Sequence, residues 1–109
     1  MRNTLDELLK IRSLDVYNYY IAGLYPGNRV VPKKNITNPF LLPHKQDTPS
    51  FNVFKANDGK YIFNDFATGD KGDCITFVQR MANVPRSEAR MIINHRILVP
   101  QPRKYQQEY

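Results

Sequence analysis

The sequence predicts an α+β domain, a small antiparallel β-sheet flanked by helices, and three observations lead there. Apolar residues recur at helical spacing near both ends of the chain. The middle holds two short alternating runs of the kind that form strands. Between those runs stands Asn57-Asp58-Gly59, which is hairpin-turn chemistry. With 109 residues, 41% hydrophobic and 24% charged, the chain has the size and composition of one folded domain. A single domain over residues 1–99 and a polar tail over residues 100–109 are expected.

Thr4 followed by Glu7 reads as a capping box, and Leu5, Leu8 and Leu9 form a short apolar stripe, so a first helix is expected over residues 4–11. After Ser13, Tyr17, Tyr20, Ile21 and Leu24 fall at helical spacing and predict a second helix that stops in the stretch from Gly23 to Gly27. Residues 29–49 carry Pro32, Pro39, Pro43 and Pro49, which disfavour helix and predict short strands joined by extended segments. Phe51, Val53 and Lys55 alternate with Asn52 and Phe54, and Lys60-Tyr61-Ile62-Phe63 follows the turn, which together predict a β-hairpin. Gly69-Asp70-Lys71-Gly72 reads as a turn. Asp73 is a good N-cap for a third helix over residues 74–83, in which Ile75, Val78, Met81 and Ala82 share a face. Pro85 and Ser87 open a fourth helix carrying Ala89, Ile92, Ile93 and Arg96, and Pro100 and Pro102 close it.

Sixteen Lys and Arg against ten Asp and Glu leave a formal charge of +6, which favours a polyanionic partner and serves solubility equally well. One cysteine and two histidines exclude an intramolecular disulfide framework and a four-ligand nitrogen and sulfur zinc site. Asp6 and Glu7 stand where a signal peptide needs an apolar run, and no apolar stretch approaches the ~20 residues of a membrane span. A cytoplasmic location without membrane insertion is therefore expected.

The stretch Asp47-Thr48-Pro49-Ser50-Phe51-Asn52-Val53, then Tyr61-Ile62-Phe63, then Gly72-Asp73-Cys74-Ile75-Thr76-Phe77-Val78 resembles the N-terminal zinc-binding domain of bacterial and phage DNA primases. That family runs Cys-Pro-Phe-His, Thr-Pro-Ser-Phe, a hairpin with Cys-Phe-Gly-Cys-Gly, and Gly-Asp or Gly-Asn opening a helix. Roughly residues 14–97 follow this order. The departures fall on the metal ligands. Aligned back from Gly72, the hairpin cysteines become Asp65 and Thr68. Upstream, a gapless alignment places His44 and Leu41 at the ligand positions, whereas matching Asn38-Pro39-Phe40 to Cys-Pro-Phe puts Asn38 and Leu41 there. Phe63-Asn64-Asp65-Phe66-Ala67-Thr68-Gly69 looks like a metal-free variant of the domain found in some phage and mobile-element primases. The resemblance thus implies a zinc-ribbon-like fold without metal or other cofactor, in which Asp65, Thr68, Gly69, Gly72 and Asp73 form the turn that replaces the zinc knuckle. The residues support this independently. Asp and Thr side chains accept hydrogen bonds from turn N–H groups, and Gly69 and Gly72 can take positive φ.

Candidate chemistry is sparse. In the primase family a separate domain polymerises, with a Glu and an Asp-x-Asp pair holding two metal ions. This sequence has only Glu7, Glu88 and Glu108 and no Asp-x-Asp, so no catalytic residue is expected. The loop from Gly69 to Asp73 lacks the Lys and Ser or Thr of a P-loop, and its two aspartates oppose an anion. Cys74 is either a small buried filler or, at a helix start, a thiol of lowered pKa. What remains is basic residues interleaved with aromatic ones: Lys33, Lys34, Lys45, Lys55 and Lys60 with Phe51, Tyr61 and Phe63. Cations that track phosphates and rings that stack bases are what single-stranded nucleic acid requires. Alternation puts one aromatic set in the core and leaves only the other able to stack. The resemblance implies a template-binding module for single-stranded DNA that works beside a catalytic primase subunit or replicative helicase. The alternative is a phage or mobile-element interaction protein that binds and regulates a primase or helicase.

Overall fold

The computed structural model describes residues 4–24, 30–41 and 48–98. Helix α1 spans Leu5–Leu24 and turns Leu5, Leu9, Ser13, Val16, Tyr17 and Ile21 inward in steps of three and four. Thr4 Oγ1 accepts from Glu7 N at 3.2 Å and caps its start. The two helices expected here are one, and Ser13 is the reason. A serine within a helix competes for backbone hydrogen bonds. Here its hydroxyl is 1% exposed and accepts from Tyr61 N at 2.8 Å, while Tyr17 one turn later donates its hydroxyl to Tyr61 O at 3.0 Å.

Three antiparallel strands follow, β1 Phe51–Lys55, β2 Tyr61–Asp65 and β3 Lys71–Asp73, in the order β1-β2-β3. The expected hairpin is β1 and β2, paired from Phe51↔Asp65 to Lys55↔Tyr61, with Gly59 at φ +94° in its tip. On the far edge of β1 the segment before it supplies one bridge, Ile36↔Phe51, and Lys33 N bonds Val53 O at 2.8 Å. Lys33 itself sits at φ +71°, third in a turn that has Pro32 second and is closed by Lys34 N to Val31 O. Among its described residues the proline-rich stretch contributes one bridge and a 3₁₀ turn, Pro39–Leu41, where short strands were expected. The rest of it, residues 42–47 with Lys45, lies outside the described residues.

Strand β3 replaces the turn expected from Gly69 to Gly72. Three residues are too few to show alternation, and the pairing with Phe63 and Asn64 decides the conformation. Gly69 does take φ +78°, but Gly72 is needed for space rather than for φ. A Cβ there would lie 3.0 Å from Thr76 Cγ2 and 3.1 Å from Phe63 Cε2.

Asp73 caps helix α2, Cys74–Ala82, by accepting from Thr76 N at 2.8 Å, and Asn83 ends it in the left-handed region at φ 56°. Helix α3, Arg86–Ile92, runs into a π turn, Ile93–Ile97, closed by Leu98 N to Ile93 O at 2.8 Å. The fourth helix expected from the sequence therefore widens in its last turn. No described helix is long and apolar enough to cross a membrane.

The core fills one side of the sheet. Phe51 and Phe63 stack at 5.5 Å and 17°, Phe40 meets both edge-on, and Phe77 of α2 and Tyr17 of α1 close the cluster with centroids 4.9 Å apart. Register assigns Phe51, Val53, Phe63 and Asp65 to this inner face. The outer face receives Asn52, Phe54, Ile62, Asn64, Lys71 and Asp73.

Gly72→Ala tests the packing of β3 on α2. Overfilling a tight site costs about 1–3 kcal/mol, so the denaturation midpoint falls; an unchanged midpoint contradicts the close approach described.

Candidate nucleic-acid interface

The inner end of β2 carries a carboxylate with no exposed surface, Asp65. Ser50 Oγ donates to it at 2.8 Å, Ala67 N at 2.8 Å and Thr68 N at 3.2 Å, and Asn38 Nδ2 donates to its other oxygen. Burial opposes ionisation, yet the bonds from Ser50, Asn38 and the two turn amides outweigh it and hold the carboxyl below its ordinary value of 3.8. The Asp65 backbone joins in, with its N bonded to Asp70 O and its O accepting from Gly69 N, both at 2.8 Å. Thr68 contributes its amide to Asp65 and its Oγ1 to Asp70 N at 3.1 Å. Asn38 Oδ1 accepts from Phe40 N at 2.8 Å, which seats the 3₁₀ turn and its ring over the core. Asp70 pairs with Arg80, whose guanidinium lies 4.0 Å from the Phe40 ring centroid. Asp73 joins the ends of α2 and α3 through Arg86 at 2.7 Å. Burial pushes the Asp73 carboxyl up, and the Arg86 and Thr76 bonds more than reverse that.

This cluster fixes the orientation of the sheet and leaves its outer face toward solvent. Asn52 and Asn64 are Cα partners at the centre of that face. Asn52 is 5% exposed and donates to Asn35 Oδ1 at 2.9 Å, while the half-buried Asn64 carboxamide has no protein partner among the described residues. Phe54 and Ile62 pair at one end, both half-buried. At the other end, one step past β2, Phe66 extends the ladder by donating its N to Ser50 O and is 67% exposed. Neither Phe54 nor Phe66 touches another described ring. The four residues from Ile62, beside Phe54, to Phe66 separate the two rings by about 14 Å along the strand. Lys71 stands next to Asn64. Across the β1 edge Lys33 and Lys34 are exposed, and Lys55, Cα partner of Tyr61, is exposed at the end of β1 on the inner-face side; none of these four lysines makes an ion pair among the described residues.

Several expected site residues lie elsewhere. Phe51 and Phe63 are both 0% exposed and cannot stack a base, because their face of the sheet is the core. Tyr61 shares that face, half-buried, with its backbone held by α1. Lys60 is engaged by Asp6 and by Asp58 at 3.9 Å, so its charge belongs to the hairpin tip and α1. Lys33, Lys34 and Lys55 are exposed. The outer face instead carries Phe54, Asn52, Asn64 and Lys71, with Phe66 one step past β2, none of them among the expected site residues. The alternation that marks Phe54 as opposite to Phe51 was legible, but which face is buried is decided by the helices. Cys74 is 1% exposed, and burial pushes its thiol up to about 12, which makes it a core filler rather than a nucleophile. Among the described residues, no three His, Cys, Asp or Glu side chains lie close enough to hold a metal ion.

Comparison with protein-family models, with curated proteins and with solved structures gives no match.

Asp65→Ala removes the buried acceptor shared by Ser50, Asn38 and two turn amides and destabilises by about 1–3 kcal/mol. Because the folded carboxyl titrates below 3.8, its contribution is complete above that pH and is lost as pH falls through the lower folded value. Acid titration of Asp65→Asn is therefore flatter below pH 3.8 than that of the parent chain, and parent curves with and without EDTA coincide. Parallel acid limbs, or unfolding by the chelator, contradict this account.

Proposed function

We propose that the chain is a single-stranded-DNA-binding module of a DNA primase, non-catalytic by itself, and that the outer face of the sheet is its template surface. The observation that carries this reading is the composition of that face. One exposed ring, Phe66, and one half-buried ring, Phe54, flank the half-buried Asn64 and its buried partner Asn52, with Lys71 beside them and Lys33 and Lys34 across the β1 edge. Rings stack on unpaired bases of any sequence, a carboxamide such as that of Asn64 meets base edges, and ammonium groups neutralise phosphates. Duplex DNA offers the rings nothing, since its bases are already stacked.

The resemblance to the primase zinc-binding domain supports the same reading. In the alignment that matches Asn38-Pro39-Phe40 to Cys-Pro-Phe, Asn38, Asp65 and Thr68 stand at zinc-ligand positions and meet in one hydrogen-bonded cluster. Hydrogen bonds thus hold the hairpin against the upstream segment, as a metal would. In this reading polymerisation resides in a catalytic primase subunit, which this module supplies with template.

Fluorescence anisotropy with labelled oligonucleotides over a salt series tests the proposal. Single strands bind more tightly than duplex. Phe54→Ala or Phe66→Ala weakens binding by about 1–3 kcal/mol with the salt slope unchanged. Replacing both Lys34 and Lys71 with Ala flattens the log–log slope by about 1.4, at roughly 0.7 per phosphate contact on single strands. Absence of binding at low salt, or binding that neither the ring nor the lysine variants alter, removes this face as a template site.

A further inference from the structure

Away from the sheet, one face of α3 and its π turn is exposed except at Ile92, which is half-buried against the core. Two rows run along it in steps of four, Ser87-Met91-His95 and Glu88-Ile92-Arg96, and they line a groove of about 520 Å³. Met91 is 61% exposed in a helix whose other side, through Ala89, Ile93 and Ile97, is fully committed to the core. The charges of the second row are arranged head to tail. Glu88 lies one turn before Ile92 and Arg96 one turn after it, and neither makes an ion pair among the described residues.

That arrangement is self-complementary. We infer that this face docks a second copy of the chain, with the two α3 helices antiparallel about a two-fold axis near Ile92. Reversal of one helix places Glu88 of each copy opposite Arg96 of the other and seats each Met91 in the facing groove. Ridges of residues four apart pack into such grooves in the commonest helix-pair geometry. A two-fold pair uses one patch twice, so one Glu and one Arg form two ion pairs. An acidic segment from another protein would satisfy Arg96 but meet Glu88 with like charge, and a basic segment would do the reverse. The patch is a single helix face, smaller than the interfaces of permanent dimers, so association is weak and reversible. The sheet's outer face takes no part in the contact, and the dimer presents two copies of it.

Sedimentation velocity over a series reaching high micromolar concentration reads this directly. The average mass of the full chain rises toward that of two copies. Met91→Asp and Glu88→Arg each weaken association by about tenfold or more, since a charge at an interface centre or a like-charge pair costs more than 1.4 kcal/mol. All three side chains involved are exposed, and circular dichroism of the variants matches the parent. Combining Glu88→Arg with Arg96→Glu restores the dimer. A parent chain that stays monomeric throughout, or association that Met91→Asp leaves unchanged, or a double exchange that does not recover what Glu88→Arg loses, overturns the inference.

Discussion

The structure depends on the hydrogen bonds to one buried carboxylate. Asp65 gathers donors from three separate places: Asn38 upstream of the sheet, Ser50 just before β1, and the amides of Ala67 and Thr68 in the turn after β2. A buried anion is tolerated only when its lone pairs are met, and here four donors meet them. The cluster therefore behaves as a unit. Its geometry sets where β1 begins, how the chain turns toward β3, and where the 3₁₀ turn lays Phe40 against Phe51 and Phe63.

From that point the two faces of the sheet acquire different fates. With Asp65 inward, Phe63 and Phe51 must also point inward, and α1 and α2 cover them through Tyr17 and Phe77. The period of two then sends Asn52, Phe54, Ile62, Asn64 and Lys71 outward. Helix α1 takes up the backbone of Tyr61 with Ser13 and Tyr17 where β3 no longer runs beside β2, so the sheet needs no further strand on that side. The proposed template surface is thus a by-product of how the core is closed.

Local chemistry was legible in the sequence wherever one residue decides one feature. Asp73 caps α2, Thr4 caps α1, and Asn57-Asp58-Gly59 turns the hairpin. The α+β class followed from the same signals. What the sequence concealed depends on partners distant along the chain. Ser13 looked like a helix break because its bond to Tyr61 spans 48 positions. Strand β3 is three residues whose conformation comes from β2, and Gly72 is excluded from bearing a side chain by Thr76 and Phe63. The aromatic residues of the hairpin showed their alternation but not its sign. Phe51 and Phe63 were therefore expected among the stacking residues, and Phe54 and Phe66 were not. Lys60 looked free until Asp6, far upstream, came alongside it.

The central claim is that the outer face of the sheet, and not its aromatic core or the hairpin tip, meets nucleic acid. Amide and side-chain chemical shifts followed by NMR while a short single-stranded oligonucleotide is added test this residue by residue. Shifts concentrated on Asn52, Phe54, Ile62, Asn64, Phe66 and Lys71, with Lys33 and Lys34, are the expected result. Shifts centred on Lys60 and the Asn57-Asp58-Gly59 tip, or on α3, with the outer face unmoved, would contradict it.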